Sequence, residues 1–446
     1  MNLIKPTPNS TVSQPATILR LGNGLTLIHQ YQPATEIAAV DVWTNAGSIV
    51  EIDAWSGMAH FLEHMIFKGT DRIVPGQFDQ IIENRGGMSN AATSYDYAHF
   101  FITTAATNFD HTLPYFGELL LQAAIPDSEF ERERDVVLEE IRQTYDDPDS
   151  IAFDALAEIV YQRHPYGRSI LGTEETLMSQ SPENMRRFHR AHYQPENLTI
   201  VVVGDVSIDQ AIRSIEKSFN TFSTQLDCPR HTIEAEPPIT SIRRQELRLP
   251  RLEEARLIMA WIAPGVDSQV WQEDTSLPWK RFAPDQADPI RAACGLDLLS
   301  ALLAEARSSR LIQELREDRQ LVHAIGSSFS LQRDSSLFTI TAWLEPENLE
   351  RVEAIICDRL SQLMTTPVTE AELNRTKRLL CNDYTFSTET PAQLAGLYGY
   401  YHTLAEADAA IAYPDWIQGF TAQELRDLAS QYLSPYHYAA IVVKPE

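Results

Sequence analysis

SGMAHFLEHMIFKG, residues 56–69, sets His60 and His64 four positions apart, with Glu63 one residue before the second histidine. On an α-helix, positions 60, 63 and 64 share one face. Two imidazoles on adjacent turns can both reach one divalent metal, and a carboxylate between them can hold the metal's water. Ser56 is placed to cap the start of this helix and Gly69 to end it. Ala59, Phe61, Leu62, Met65, Ile66 and Phe67 surround the axis with apolar surface, so the helix should be buried. His60, Glu63 and His64 then form a polar stripe inside the protein, and buried polar groups need partners. A metal satisfies all three. The plainer alternative is a core helix whose histidines bond to backbone.

The order His-x-x-Glu-His is the zinc-peptidase motif His-Glu-x-x-His reversed, the inverzincin pattern. Structural zinc usually takes four protein ligands, whereas catalytic zinc takes three and a water. A third ligand is therefore expected from another helix. The stretch ERERDVVLEEIRQTYDDP, residues 131–148, offers Glu140. Glu133, Val137, Glu140 and Thr144 fall on one helical stripe, with Glu139 about 100° away. Glu133 is placed to hydrogen-bond a ligand from behind. From spacing alone, a solvated acidic face is the stronger reading of this helix.

With 446 residues, two or more domains are expected, and a hydrophobic fraction of 43% is ample for ordinary cores. No run of 18 apolar residues exists, so no membrane span is expected, and the first residues lack the apolar core of a secretory signal. Cys228, Cys294, Cys357 and Cys381 are widely spaced and form no CxxC pair. They suit a reducing, cytoplasmic setting. A net charge of −26 argues against nucleic acid and anionic membrane as partners. That charge either favours basic peptides or is a solubilising surface. No GxGxxG or P-loop supports nucleotide chemistry.

The chain repeats itself. Residues 100–145 read as a strand (FFITTAA), a helix (LPYFGELLLQAA) and a second helix opening at PDSEFERERD. Residues 337–384 read as LFTITAWL, LERVEAIICDRLSQL and PVTEAELNRTKRLLCNDY, with Pro126, Ser128 and Glu129 matching Pro367, Thr369 and Glu370. Each half ends in a similar strand, NLTIVVVGDV and YHYAAIVVKPE. The proline-bearing run DCPRHTIEAEPPITSI reads as a linker over residues 227–242, between domains at 1–226 and 243–446. Strands are expected over Thr17–Leu21, Thr26–Gln30, Ala38–Trp43, Ser94–Ala105 and Leu198–Val203, with helices at the motif and over Gly76–Asn84. Mixed helices and strands, with a hairpin-type Gly22-Asn23-Gly24 turn, predict α+β: two homologous domains, each a mostly antiparallel sheet packed with helices. The second half has LDLLSALLAEA where the motif would lie and Cys381 where Glu140 lies. One half reads as catalytic and its copy as a remodelled partner.

HFLEHMIFKGT, followed 76 positions after His64 by the second glutamate of VVLEEI, resembles the pitrilysin family of zinc peptidases. This group includes the mitochondrial processing peptidase and insulin-degrading enzymes. The likeness runs through residues 86–94, YGRSILGTEE, VVVGDV and, in the second half, SSRLIQELRED, and so covers nearly the whole chain. The length resembles the short, two-domain members that pair into dimers. The resemblance implies one zinc per chain held by His60, His64 and Glu140, Glu63 as the catalytic base and Glu133 as a supporting acid. It implies a zinc-dependent endopeptidase that hydrolyses short or unfolded peptides in a cavity between the two domains. Glu63 would accept a proton from the metal's water and deliver it to the leaving amine.

Ser89-Asn90-Ala91-Ala92-Thr93-Ser94 carries small side chains, which let another backbone approach a sheet edge. The resemblance places substrate main chain along this strand, with Asn90 and Ala91 near the scissile bond. It also calls for an arginine and a tyrosine seven residues apart in the second half. Arg316 matches, but His323 stands at the tyrosine position. Either His323 substitutes, being shorter but able to donate a hydrogen bond, or a partner subunit supplies an intact pair. The chain is thus expected to form a homodimer, or a heterodimer with a related chain. The alternative to an enzyme in its own right is a noncatalytic or heteromer-dependent subunit of a processing-peptidase-like complex. The aromatic run GVDSQVWQEDTSLPWKRFAPDQADP, residues 265–289, reads as a loop that covers a cavity mouth, forms a subunit contact or packs on its own domain.

Overall fold

The computed structural model describes residues 16–234, 236–250, 252–266 and 288–446. The tryptophans and Phe282 of the expected aromatic loop lie outside them. The first half contains β1 (Thr17–Arg20), β2 (Thr26–Tyr31), β3 (Ile37–Thr44), β4 (Met88–Thr93), β5 (Ala98–Ala105) and β6 (Leu198–Gly204). They form one sheet in the order β1-β2-β6-β3-β5-β4. The second half contains β7 (Arg243–Leu249), β8 (Ala255–Pro264), β9 (Ala324–Ser330), β10 (Ser335–Leu344) and β11 (Ala439–Pro445), ordered β7-β11-β8-β10-β9. The second order reproduces β2-β6-β3-β5-β4 strand for strand. Each sheet has a single parallel pair, β2–β6 and β7–β11, and is otherwise antiparallel. The repeat seen in the sequence is thus a repeat of topology, and the α+β class follows.

The stretch expected as a strand over Ser94–Ala105 divides. Strands β4 and β5 form a hairpin that reverses at Ser94–Tyr97, where the Ser94 N–H donates to the Tyr97 carbonyl (2.7 Å). This leaves β4 at the edge of the sheet. Between Phe219 and Ile242 the described residues form no helix or strand.

The motif lies on α1 (Met58–Ile66), followed by α2 (Gln77–Glu83), α3 (Phe109–Leu121), α4 (Asp127–Thr144) and α5 (Pro148–Val160). Central strands are apolar on both faces, as strands covered on both sides must be. All seven residues of β6 are buried. Its Leu198, Ile200 and Val202 pack into the core that contains α1. Its Val201 and Val203 meet Leu394, Ala395 and Tyr398, on the helix Pro391–Leu404 of the other half. Gly399 permits that approach, because a Cβ there would run into the Trp43 indole. The second sheet mirrors the arrangement: Ala439, Ile441 and Val443 of β11 pack against Ala152, Leu156 and Val160 of α5. Each half lends one helix to the back of the other's sheet. No helix among the described residues is long and apolar enough to cross a membrane.

Candidate metal centre

Helix α1 starts without the expected serine cap. Ser56 makes no capping bond, and Gly57 occupies the N-cap with φ +88°. A Cβ at Gly57 would press on the Leu171 carbonyl oxygen at 2.5 Å, so only glycine fits. The free N–H groups of the first turn are met from six to eight residues upstream. Glu51 accepts from the Gly57 N–H (3.0 Å) and the Ala59 N–H (2.7 Å). Burial pushes the Glu51 carboxyl up to about 8, against the pull of these donors and of Arg168. At the other end, Phe67 is the C-cap and Gly69, at φ +94°, turns the chain away.

The apolar residues of α1 bury as their spacing demands, with Met58, Phe61, Leu62, Met65 and Ile66 wholly enclosed. Phe61 packs on Phe130 of α4, with ring centroids 4.6 Å apart, and so sets the two helices side by side. Glu140 then faces the motif. Its Oε2 lies 3.6 Å from His60 Nε2 and 3.5 Å from His64 Nε2. The three ligand atoms lie within 4.8 Å of one another, and no other such group occurs among the described residues. Donor atoms around tetrahedral zinc, at bond lengths of about 2.0–2.1 Å, stand roughly 3.3–3.4 Å apart. The two measured separations are close to that, and the donor set is two imidazoles and a carboxylate, so the residues fit the ion. Glu139, by contrast, points to solvent and pairs with Arg142 at 3.3 Å.

Glu133 sits behind His64, its Oε1 3.0 Å from His64 Nδ1. A carboxylate can only accept, so Nδ1 carries the hydrogen, which leaves Nε2 as the ring nitrogen that could meet a metal once its own proton is displaced. Burial pulls the His64 pKa down, but the Glu133 and Glu140 carboxylates outweigh it and hold the ring up at about 9. Burial pulls His60 down to about 4. Its Nδ1 has no partner among the described residues. Glu63 is raised above the usual carboxylate range by burial, and its Oε2 accepts from the Thr93 hydroxyl at 2.6 Å. Thr93 is the last residue of β4, so the expected base is tethered to the sheet edge.

A model described as "Insulinase (Peptidase family M16)" matches residues 26–174, and one described as "Peptidase M16 inactive domain" matches residues 179–380. The chain belongs to peptidase family M16, of the pitrilysin type. The zinc protease PqqE of Helicobacter pylori is 28% identical over 428 residues, spanning 95% of this chain and 92% of its own. YmxG of Bacillus subtilis, named an uncharacterised zinc protease, is 27% identical over 368 residues, 82% of this chain and 83% of its own. The crystal structure of a protease from Helicobacter pylori superposes with a TM-score of 0.85 at 26% identity, covering 96% of this chain and 99% of that one. The motif thus lies within the stretch matched by the insulinase model, while the inactive-domain match begins at residue 179 and takes in most of the second half.

A cavity of about 560 Å³ opens beside this M16 centre. His60, Glu63, Thr93 and Glu140 line it, with Tyr95, Phe153 and Leu171. Among the described residues, every one that lines it belongs to the first half. Asn90 and Ala91 lie on β4 nearby, Asn90 exposed and Ala91 half-buried. Arg316 and His323 are not among the residues that line this cavity. Arg316 lies in a π-helix, Ile312–Asp318, with its guanidinium on Glu317 at 2.8 Å. His323 is 56% exposed, its Nε2 3.3 Å from Glu345 and 4.0 Å from Glu254. Sequence reasoning missed Glu51, Thr93 and Lys68 as supports of the site. The run HMIFKGT held the only local hint, a lysine four positions after His64.

Proposed function

We propose that this chain is a zinc-dependent endopeptidase acting on short or unfolded peptides. One observation carries the reading: His60 Nε2, His64 Nε2 and Glu140 Oε2 converge beside Glu63, which is itself bonded to the edge strand β4. His60, His64 and Glu140 would hold the ion. Bound there, zinc supplies Lewis-acid chemistry that acidifies water and polarises a carbonyl. Glu63 has one oxygen committed to Thr93, so the other is left to take the water's proton and return it to the leaving amine. The edge of β4, which no described strand pairs, offers main-chain donors and acceptors to an extended substrate. A flexible or unfolded chain can add a strand there, which supports short or unfolded peptides as the substrate class.

Dependence on a second subunit is supported by the lining of the cavity. Among the described residues only the first half lines it, and Arg316 and His323 lie on another part of the chain. A second M16 chain, identical or related, would bring its own inactive half to close the site. The test is the purified protein's zinc content, its mass in solution and its cleavage of an unstructured fluorogenic peptide. One zinc per chain with peptide hydrolysis supports the reading. A zinc-loaded, homogeneous preparation with no hydrolysis favours the heteromer-dependent subunit, and a zinc-free one after reconstitution defeats both.

A further inference from the structure

Lys68 follows the last turn of α1, where helix carbonyls favour a positive charge. Its ammonium lies 2.6 Å from Glu133 Oε2, while Glu133 Oε1 faces His64 Nδ1 at 3.0 Å. The Glu133 side chain is only 10% exposed, so water cannot replace either partner freely. Both carboxylate oxygens are committed, one to each neighbour. The three groups form a line running from a solvent-touching ammonium to the ring nitrogen behind the metal position.

We propose that Lys68 is a positioning residue for the metal centre, holding Glu133 so that His64 presents Nε2 to the ion. This rests on the reading of His60, His64 and Glu140 as ligands. The reason is geometric. A carboxylate on a glutamate has two rotatable bonds between it and Cβ, and a single hydrogen bond to an imidazole leaves it free to swing. The ammonium pins the far oxygen and fixes the plane of the group. The near oxygen then holds the ring's tautomer and tilt, the features that outer partners of metal-bound histidines supply. Lys68 itself is neither one of the three ligands nor among the residues that line the cavity.

The experiment measures the zinc dissociation constant of the full chain by competition with a chromophoric chelator. Removal of a direct partner of a metal-bound histidine costs about 10–100-fold. Lys68 stands one step further out, so Lys68→Met should weaken zinc about tenfold, at the low end of that range. Lys68→Arg should restore most of it. In a Glu133→Gln background, Lys68→Met should change little, because the two act as one unit. Metal-free thermal unfolding accompanies each variant. If Lys68→Met fails to fold, Lys68→Gln takes its place in the same cycle. An unchanged or tighter constant in Lys68→Met overturns the proposal, as does an equal loss in both backgrounds. Zinc retained by His64→Ala would instead defeat the ligand reading, whatever Lys68 does.

Discussion

The Glu51 carboxyl receives the Ala59 N–H at 2.7 Å, so the residue before the first histidine is anchored by an acid eight positions upstream. Glu51→Ala should leave the Gly57 and Ala59 N–H groups buried without an acceptor. The expected cost is about 2–4 kcal/mol of stability, read by urea denaturation, with weaker zinc retention. The pH dependence has a definite sign. Burial raises the folded carboxyl from its ordinary 4.5 to about 8. The folded state then binds that proton more tightly than the unfolded chain. The contribution is fully present below pH 4.5 and is lost as pH rises through 8, at up to about 1.4 kcal/mol per pH unit. Glu51→Gln removes this slope, so its stability relative to wild type should improve across that window. A wild type that gains on Glu51→Gln as pH rises would show that the N–H donors outweigh burial.

Glu63→Gln and Glu140→Gln separate the base from the ligand. Glu63→Gln should retain zinc and lose peptide hydrolysis by about two orders of magnitude or more, because nothing takes the water's proton. Glu140→Gln should lose zinc. Glu139→Gln should do neither, since Glu139 pairs with Arg142 at the surface. Metal analysis of the three purified variants decides. Loss of zinc in Glu139→Gln alone would contradict the distances at Glu140.

Thr93→Val keeps the shape of the side chain and removes the hydroxyl that fixes Glu63 Oε2. Turnover should fall about tenfold, the cost of one misplaced catalytic group by a fraction of an ångström. KM and zinc content should hold, and Thr93→Ser should recover the rate. A fall in zinc content instead would mean that Thr93 supports the metal and not the base.

Arg316 and the metal centre give a complementation test of the second subunit. His64→Ala and Arg316→Ala should each be inactive. Co-expressed, they should regain up to about a quarter to a half of wild-type activity if identical chains pair and one supplies Arg316 to the other's site. Activity of Arg316→Ala alone at wild-type level would remove that arginine from the mechanism. Silence of every mixture, and of the wild type alone, would call for a different partner chain.

The helix that carries the motif was legible because its pattern is local. Apolar residues at helical spacing around His60, Glu63 and His64 buried as expected, and α1 lies where the motif put it. The cap was not legible: Ser56 matched the local rule, yet the acceptor is Glu51, brought in by the intervening 3-10 turn Asp53–Trp55. The hairpin at Ser94–Tyr97 was hidden because β4 and β5 are both compatible with extended chain, and no Gly or Asn-Gly pair marks the turn. Glu140 was chosen over Glu139 on helical phase plus resemblance, and its approach to both histidines needed the Phe61–Phe130 contact that only packing reveals. Lys68 and Glu133 lie 65 positions apart, a pairing no sequence period encodes.

The exchange of helices across the backs of the two sheets bears on how such a chain can change over time. Strand β6 depends on Leu394 and Tyr398, and β11 on Leu156 and Val160. A break in the segment before β7 would sever the covalent connection but leave two fragments that need each other, each with a bare apolar strip when alone. The half without a metal centre therefore cannot be shed as surplus. It serves as the mould in which the motif-bearing half keeps its form.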